Sequence, residues 1–425
     1  MDDVLVIGGG AAGMIAAWRA ASLGASTRLL EKNGRLGLKI HISGGGKCNI
    51  THGGEMEPLR RAFQPNEARF LHACFRRFTN EDALELMRAR GVTVHTRPDG
   101  RVFPDSGRAE DVVDALAWHM TDTGVRLHTR VAVTGIGVDD GTVTGAWAGG
   151  QFFPSHTVIL GVGGSSYPKT GTTGDGFTWA RDLGHTIVRL RAALAPIYLA
   201  DGEAGKPGRR ADWSGVALRD CILRARSATG KEVARWRDDL LFTHQGLSGP
   251  TALGISRTVA LAQEAGPVTL DADLLPDTSV EAVIARIAES HGVAGRRAVR
   301  TLLGEWLPER LVPEALLRAD IDSATALNQL PRKNRNRLAE ELKRWSLGPV
   351  RVVPLERGEV TAGGVALEEV DPQTMNSRKV RGLYLAGEIL DLAGPVGGYN
   401  LQAAFSTGYV AGESATRAAR ASAEG

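Results

Sequence analysis

Cysteine is scarce in this chain: there are three, Cys48, Cys74 and Cys221, with no C-x-x-C pair. That spacing excludes a disulfide framework and a cysteine-based metal site, so no metal is expected and a reducing compartment fits best. Long apolar runs are missing too. Nowhere do 18 apolar residues stand together, and Met1-Asp2-Asp3 leads into Val4-Leu5-Val6-Ile7 with no basic leader and no cleavage signal. A soluble, unexported, cytoplasmic protein without membrane contact is therefore expected. Nor is charge of one sign in excess, since 51 Lys and Arg against 48 Asp and Glu leave +3. That is too little to select a polyanion, so local patches have to carry any such binding. Repeats and low-complexity tracts are absent, and 43% hydrophobic with 23% charged residues excludes disordered, collagen-like and coiled-coil chains. At 425 residues, two or three domains are expected.

Glycine, by contrast, is abundant. The 53 glycines in 425 residues amount to about 12%, against an average near 7%, and they fall in short runs. Such runs mark backbone held close to a ligand, because glycine has no Cβ and takes left-handed φ freely.

The first sixty residues read as a βαβ unit: an apolar run Val4 to Ile7, glycines, a helix-period stretch Ala12 to Ser22, and a second apolar run Thr27 to Leu30. Helical patterns follow at Asn80 to Arg90 and Asp111 to Asp122. Strand patterns run through Val131 to Ile136, Thr142 to Trp147 and Thr157 to Val162, with Asp140-Gly141 as a hairpin turn. From about Arg189 the texture changes, first to short alternating segments up to about Leu275, then to a helical pattern from Val280 to Trp345. At Leu383 to Glu388 the apolar-run-then-glycine texture of the N-terminus returns. The expected fold is α/β, with a first domain (residues 1–188 and 348–425) interrupted by a β-rich segment (189–276) and a helical one (277–347).

Gly8-Gly9-Gly10-Ala11-Ala12-Gly13 is a G-x-G-x-x-G between a strand and a helix. Gly8 and Gly10 let the backbone approach a pyrophosphate, Gly13 lets helix and strand pack closely, and the helix start at Ala11-Ala12 offers free N–H groups to an anion. Glu31, 21 positions after Gly10, is placed to accept hydrogen bonds from a ribose. A nicotinamide enzyme needs no glycine clusters elsewhere, yet this chain has three: Ser43 to Asn49, Gly161 to Ser166, and Gly387 to Asp391 with Gly394 to Asn400. Several close approaches along one long ligand point to FAD.

The run Lys39-Ile40-His41-Ile42-Ser43-Gly44-Gly45-Gly46-Lys47-Cys48-Asn49 resembles the S-G-G-G-(R/K)-C-N signature of the YhiN/BaiN-like NAD(P)/FAD-dependent oxidoreductases. Tyr167-Pro168-Lys169-Thr170-Gly171 to Gly176, Phe242-Thr243-His244-Gln245-Gly246 to Pro250, Ala386-Gly387-Glu388 and Gly397-Gly398-Tyr399-Asn400-Leu401-Gln402 are similar to that family's other motifs. One departure is Gly161-Val162-Gly163-Gly164, where the family more often has A-T-G-G. The resemblance implies a Rossmann-type, glutathione-reductase-like FAD-binding domain with an inserted β-barrel-like domain and a helical domain. It further implies Glu31 and Lys32 at the adenosine ribose, Val133 at the adenine and Asp391 at the ribityl chain. Lys39, Ser43 to Gly46, Asn49, Gly163, Gly164, Gly387, Glu388, Gly398, Tyr399, Asn400 and Gln402 would complete the cofactor site.

Four residues are candidates for catalysis, each with a second reading. Cys48 beside Lys47 is either a thiol of lowered pKa that donates a proton or a small packing residue. His244 is either a general acid or a loop histidine. Tyr167 and Lys169 either line the substrate mouth or shape a turn, and Asp175 reads as a helix cap. Between Arg286 and Arg351, thirteen Lys and Arg stand against eight Asp and Glu, densest at Arg332-Lys333-Asn334-Arg335-Asn336-Arg337; this run either holds RNA phosphates or is a solvated helix face. The leading expectation is NAD(P)H-driven reduction of an activated C=C bond. No second G-x-G-x-x-G exists, so NAD(P)H would be a transient donor. The substrate is either a small unsaturated molecule or a uridine of large-subunit ribosomal RNA. A flavoprotein oxidase or monooxygenase, and a non-catalytic flavin-bearing RNA-binding protein, are the alternatives.

Overall fold

The computed structural model describes residues 1–200, 212–294 and 296–424, so 201–211 of the expected β-rich segment lie outside the described residues. Contacts divide the chain into two compact units, Met1–Arg191 with Gly358–Gly425, and Ala192–Arg357.

The first unit is built on a parallel sheet. Its strand order is Arg126–Thr129, Thr27–Glu31, Asp2–Ile7, Gln151–Leu160 and Leu383–Leu385, every neighbouring pair parallel. Val4, Leu5, Val6, Leu29, Val158, Ile159 and Leu160 are almost wholly buried, as expected of strands covered on both faces. The leading half of Gln151–Leu160 leaves this sheet for an antiparallel meander with Val133–Asp139 and Thr142–Ala148. Asp140 and Gly141 turn that hairpin with φ of 44° and 67°, the left-handed pair a two-residue turn of this kind needs.

Two helices meet against the sheet with their backbones nearly touching. The first is Ala11–Ser22 and the other the C-terminal Tyr399–Glu424. A Cβ on Gly408 would fall 2.3 Å from the Ala12 carbonyl oxygen, and one on Gly412 2.4 Å from that of Ala16. Only glycine permits this approach, which sets the last helix at Gly408 and Gly412 against the first turns of Ala11–Ser22.

The second unit holds a closed six-stranded barrel, ordered Ile197–Leu199, Gly246–Ser248, Glu232–Phe242, Ala217–Arg226, Thr269–Asp273 and Trp345–Val352. Leu218, Cys221, Leu223 and Ala225 of one strand point inward, with a bulge at Arg219 and Asp220 keeping the alternation in phase. Helices Val280–Ala294, Val299–Leu303, Val312–Arg318 and Arg332–Lys343 follow the fifth strand and share the barrel's core. The helical reading up to Trp345 is corrected at its end, since Trp345 is buried as the first residue of the closing strand. No helix among the described residues is long and apolar enough to cross a membrane.

Candidate active site

All of the geometry below lies in the first unit, apart from His244 and Cys221. A Cβ on Gly8, where φ is +101°, would fall 2.6 Å from the Gly161 carbonyl oxygen, and one on Gly13 only 1.9 Å from that of Gly8. A Cβ on Gly10 would meet nothing within 4 Å. The fold itself thus needs two of these glycines but not Gly10. No side chain caps the helix Ala11–Ser22 and no acid occupies its first turn, so the N–H groups at Ala11 and Ala12 are left to an external anion.

Glu31 is buried at the end of its strand. Its carboxylate accepts from the Gly9 N–H at 2.6 Å, the Asn33 N–H at 2.7 Å and Asn33 Nδ2 at 2.6 Å. Three of the roughly four acceptor positions of a carboxylate are thereby filled, leaving one. Val133 lies two residues beyond Val131, whose N–H donates to the Glu31 carbonyl at 3.0 Å. Lys32 turns elsewhere: Nζ lies 2.6 Å from both Thr173 Oγ1 and Asp175 Oδ2. Desolvation disfavours a charged Asp175, but hydrogen bonds from Lys32 and Thr173 outweigh it and hold that carboxyl below its ordinary range. Gly174, not Asp175, occupies the cap position of the helix Asp175–Asp182.

Lys39 and Glu388 form a hub. Lys39 Nζ donates to Glu388 Oε2 at 2.6 Å, Glu388 Oε1 at 2.7 Å and Ser166 Oγ at 2.7 Å. Glu388 Oε1 also accepts from the Thr361 N–H at 2.7 Å, while Thr361 Oγ1 accepts from the N–H groups of Ser165 and Ser166. Gly164 is pressed onto this hub, where a Cβ would fall 2.3 Å from Thr361 Oγ1. Gly387, with φ +76°, lies against the first helix, where a Cβ would come 2.8 Å from that of Ala12, and a Cβ on Gly163 would be 2.9 Å from Thr172.

In the Ser43–Gly46 turn, Gly44, Gly45 and Gly46 all have positive φ, as does Cys48 at 57°. This winding leaves Lys47 exposed and Cys48 wholly buried. Burial pushes the Cys48 thiol up to about 12, with a hydrogen bond to Ser43 working weakly against it. The expected lowering by Lys47 is therefore corrected, and the burial of Cys48 fits its packing reading. Cys74 and Cys221 are likewise raised to about 12, in each case chiefly by burial. Native protein at pH 8 is expected to leave all three thiols unreacted with a disulfide exchange reagent over minutes, and to react fully once denatured. One fast-reacting thiol in the native state, lost in Cys48→Ala, would restore the reactive reading.

Two polar atoms near these glycine turns are buried without a partner, Asn49 Oδ1 and Ser165 Oγ. Buried unpaired atoms are costly, and a polar ligand at these turns would satisfy both. With the uncapped helix start and the open side of Gly10, they fit a long dinucleotide lying across the turns. At the far end, Asp391 Oδ1 accepts from the Gly363 N–H at 2.9 Å. Gly398, with φ +90°, is pressed on the Thr51 carbonyl. Tyr399 stacks on His52 at 4.8 Å, and burial raises its phenol pKa against the pull of Arg101. Asn400 closes the preceding loop by bonding the Gly394 N–H and carbonyl at 2.8 and 3.0 Å.

Gln402 is fully buried, accepting from Thr51 Oγ1 at 2.7 Å and donating to Ser406 Oγ at 3.0 Å. It fastens the last helix and offers a ligand no free atom. Tyr167, with φ 51°, opens the single turn Pro168–Thr170, and its carbonyl accepts from Thr170. Lys169 is exposed on that turn. His244 belongs to the second unit, exposed at a hairpin tip closed by Thr243 and Gly246. Sequence motifs passed over His52 and Arg101; each stands outside the glycine runs, and only tertiary contact brings it to them.

The chain matches the HI0933-like protein Rossmann domain over residues 2–414. It is 31% identical over 409 residues to the Escherichia coli ribosomal RNA dihydrouridine synthase, covering 96% of each chain. It is 30% identical over 422 residues to the 3-dehydro-bile acid delta(4,6)-reductase of Clostridium scindens, covering 98% of this chain and 99% of that one. Among solved structures, the 3-ketosteroid-delta4-(5alpha)-dehydrogenase from Rhodococcus jostii RHA1 has a similar fold, with a TM-score of 0.50 at 16% identity over 98% of this chain and 96% of that one.

Proposed function

The chain belongs to the HI0933-like family of Rossmann-domain, FAD-dependent oxidoreductases, and from that premise we propose that it reduces an activated C=C bond with NAD(P)H as electron donor, its substrate a uridine of large-subunit ribosomal RNA. The observation that carries this reading is full-length likeness to two proteins, one named for making dihydrouridine and one for reducing a bile acid. Both reactions saturate a C=C bond conjugated with a carbonyl, so the shared chemistry is broader than either substrate.

In this reading the N–H groups of Ala11 and Ala12 beside Gly10 would hold the diphosphate of FAD, and the remaining acceptor position of Glu31 would take an adenosine ribose hydroxyl, with Val133 at the adenine. Asp391 holds the ribityl chain. Asn49 and Ser165 gain partners, and the Ser43–Gly46 turn and the start of the last helix at Tyr399 face the ring system, where a helix start favours negative charge. When bound, FAD supplies hydride transfer from NAD(P)H to the substrate carbon.

Ribosomal RNA is favoured over a small molecule by the helix Arg332–Lys343. Leu338, Ala339 and Leu342 are buried, and Asn334 Nδ2 ties the helix to the carbonyls of Ala319 and Asp320 at 3.1 and 2.6 Å. Arg332, Lys333 and Arg337 are left exposed. Such free cations suit phosphates. The second reading, a small-molecule reductase, draws on the bile acid reductase. Mass spectrometry of large-subunit ribosomal RNA from cells lacking the gene is expected to show loss of a dihydrouridine that wild-type protein restores. Unchanged dihydrouridine would transfer the proposal to a small substrate.

A further inference from the structure

A small antiparallel sheet adjoins the glycine turn at Ser43–Gly46. Its order is Thr51–His52, Arg101–Pro104 and Val94–Thr96, which leaves Val94–Thr96 at an edge. Three contacts tie this sheet to the candidate site. A Cβ on Gly44 would fall 3.1 Å from Phe103 Cε1, Gly398 is pressed on the Thr51 carbonyl, and His52 stacks on Tyr399 at 4.8 Å. Just beyond the edge strand, Arg97 lies over the Phe103 ring, its Cζ 4.1 Å from the ring centroid. Before the strand, Arg90 lies over Trp118 in the same way, at 3.8 Å.

Two other arginines of the first unit lie over rings, and both are engaged by carboxylates, Arg19 by Glu413 and Arg28 by Asp2. Arg90 and Arg97 have no ion pair and no side-chain hydrogen bond among the described residues. A planar cation backed by a ring and unclaimed by a carboxylate offers its plane to another flat group, and nucleobases stack on guanidinium planes. Beside Arg90 there is room for one. A groove of about 460 Å³ is lined by Arg90, Thr93, Ser106, Asp111, Asp114 and Trp118, and Trp118 keeps 37% of its surface exposed. The two carboxylates repel phosphate but accept from the amino group of a base, so this groove suits an unpaired base whose phosphates stay outside.

We propose that Arg97 and Arg90 are stacking platforms for unpaired bases of the RNA substrate, and that the edge strand Val94–Thr96 between them leads the RNA towards the Ser43–Gly46 turn. The assignment rests on the ribosomal RNA reading. Phe103 joins the platform to the site, since it meets Gly44 and carries Arg97. A base on Arg97 is thus separated from the glycine turn by one guanidinium and one ring. Only single-stranded RNA fits, because a duplex keeps its base faces inside the helix.

The test uses the full-length, FAD-loaded protein with labelled oligoadenylate as single-stranded probe and a labelled RNA duplex beside it. Arg97→Lys and Arg90→Lys keep the charge and an alkyl stem over the ring but lose the plane. Each is expected to weaken oligoadenylate binding by about fivefold to a hundredfold, with its salt dependence and the duplex affinity unchanged. On ribosomal RNA from cells lacking the gene, with NAD(P)H supplied, KM for dihydrouridine formation should rise by a similar factor and kcat should stay close to wild type. Stacking away from the reacting base is the same in ground and transition states. Arginines that merely cover Phe103 and Trp118 would lower the melting temperature and leave oligoadenylate binding as it is, which overturns the assignment. Equal losses on the duplex overturn it too. If wild-type protein forms dihydrouridine and both variants match it, the assignment fails and the RNA reading stands. If wild-type protein forms none, the RNA reading fails and takes the assignment with it.

Discussion

Gly10→Val protein is expected to purify folded but colourless. Gly10 has extended backbone angles, φ −87° and ψ −170°, which any residue adopts, and a Cβ there meets no protein atom within 4 Å. The fold therefore has no quarrel with the substitution, and the melting temperature of the cofactor-free protein should stay within a few degrees of wild type. The valine branches instead fill the space through which a diphosphate reaches the helix N–H groups. Losing two charge-assisted hydrogen bonds at roughly 1.5–3 kcal/mol each lowers affinity by at least about a hundredfold. Gly13→Val is the control with the opposite signature, since its Cβ would fall 1.9 Å from the Gly8 carbonyl oxygen. Strand and helix would have to part, and the protein should be insoluble or destabilised by more than roughly 3 kcal/mol. The comparison is read from flavin absorbance and thermal melts of both variants. A yellow, fully loaded Gly10→Val protein would remove the diphosphate from this turn.

What the sequence makes legible here is local. The G-x-G-x-x-G turn, the strands beside it and the Asp140-Gly141 hairpin each depend on residues a few positions apart, so the glycines and the period of the apolar residues announce them. Trp345 shows where that reasoning stops. It continues the spacing of Leu338 and Leu342 and so reads as one more helical turn, yet Arg344 leaves helical geometry with φ −142°. Trp345 then begins the strand that closes the barrel on Ile197–Leu199, a pairing across about 150 residues that no local pattern encodes. The helix Pro65–Arg77 falls outside the helical patterns of the sequence, although Pro65 at its first turn and the Gln64–Glu67 capping box are local signals for it.

The same divide runs through the site. Lys47 beside Cys48 in sequence points to an activated thiol. The left-handed turn at Cys48 sends the two side chains to opposite sides, one to solvent and one to the core, and reverses the sign of the pKa shift. Lys39 and Glu388 stand 349 positions apart in two separate motifs, and folding makes them partners of each other.

The pairing of Lys39 with Glu388 gives the second large effect. Their side chains keep only 23% and 18% of their accessible surface, so each charge depends largely on its partners and only partly on water. Lys39→Met leaves Glu388 with the Thr361 N–H and Ser166 hydroxyl but no cation, and Glu388→Gln leaves the ammonium with one hydroxyl and an amide. Each single change should destabilise the protein by on the order of 2–4 kcal/mol, somewhat less than for a fully dry pair because some solvent reaches both groups. The double variant should lose clearly less than the sum, since removing both charges leaves none stranded. Urea unfolding of all four proteins measures this coupling, and additivity within about 0.5 kcal/mol would show that the two charges act independently. The cost should also reach the cofactor. Glu388 and Thr361 together hold the Ser165-Ser166 backbone and the wall at Gly164, so a hub that loses one charge loosens the surface on which the dinucleotide rests. Both single variants should bind FAD more weakly although neither residue needs to touch it, and the double variant, its neutral side chains again compatible, should recover part of that affinity.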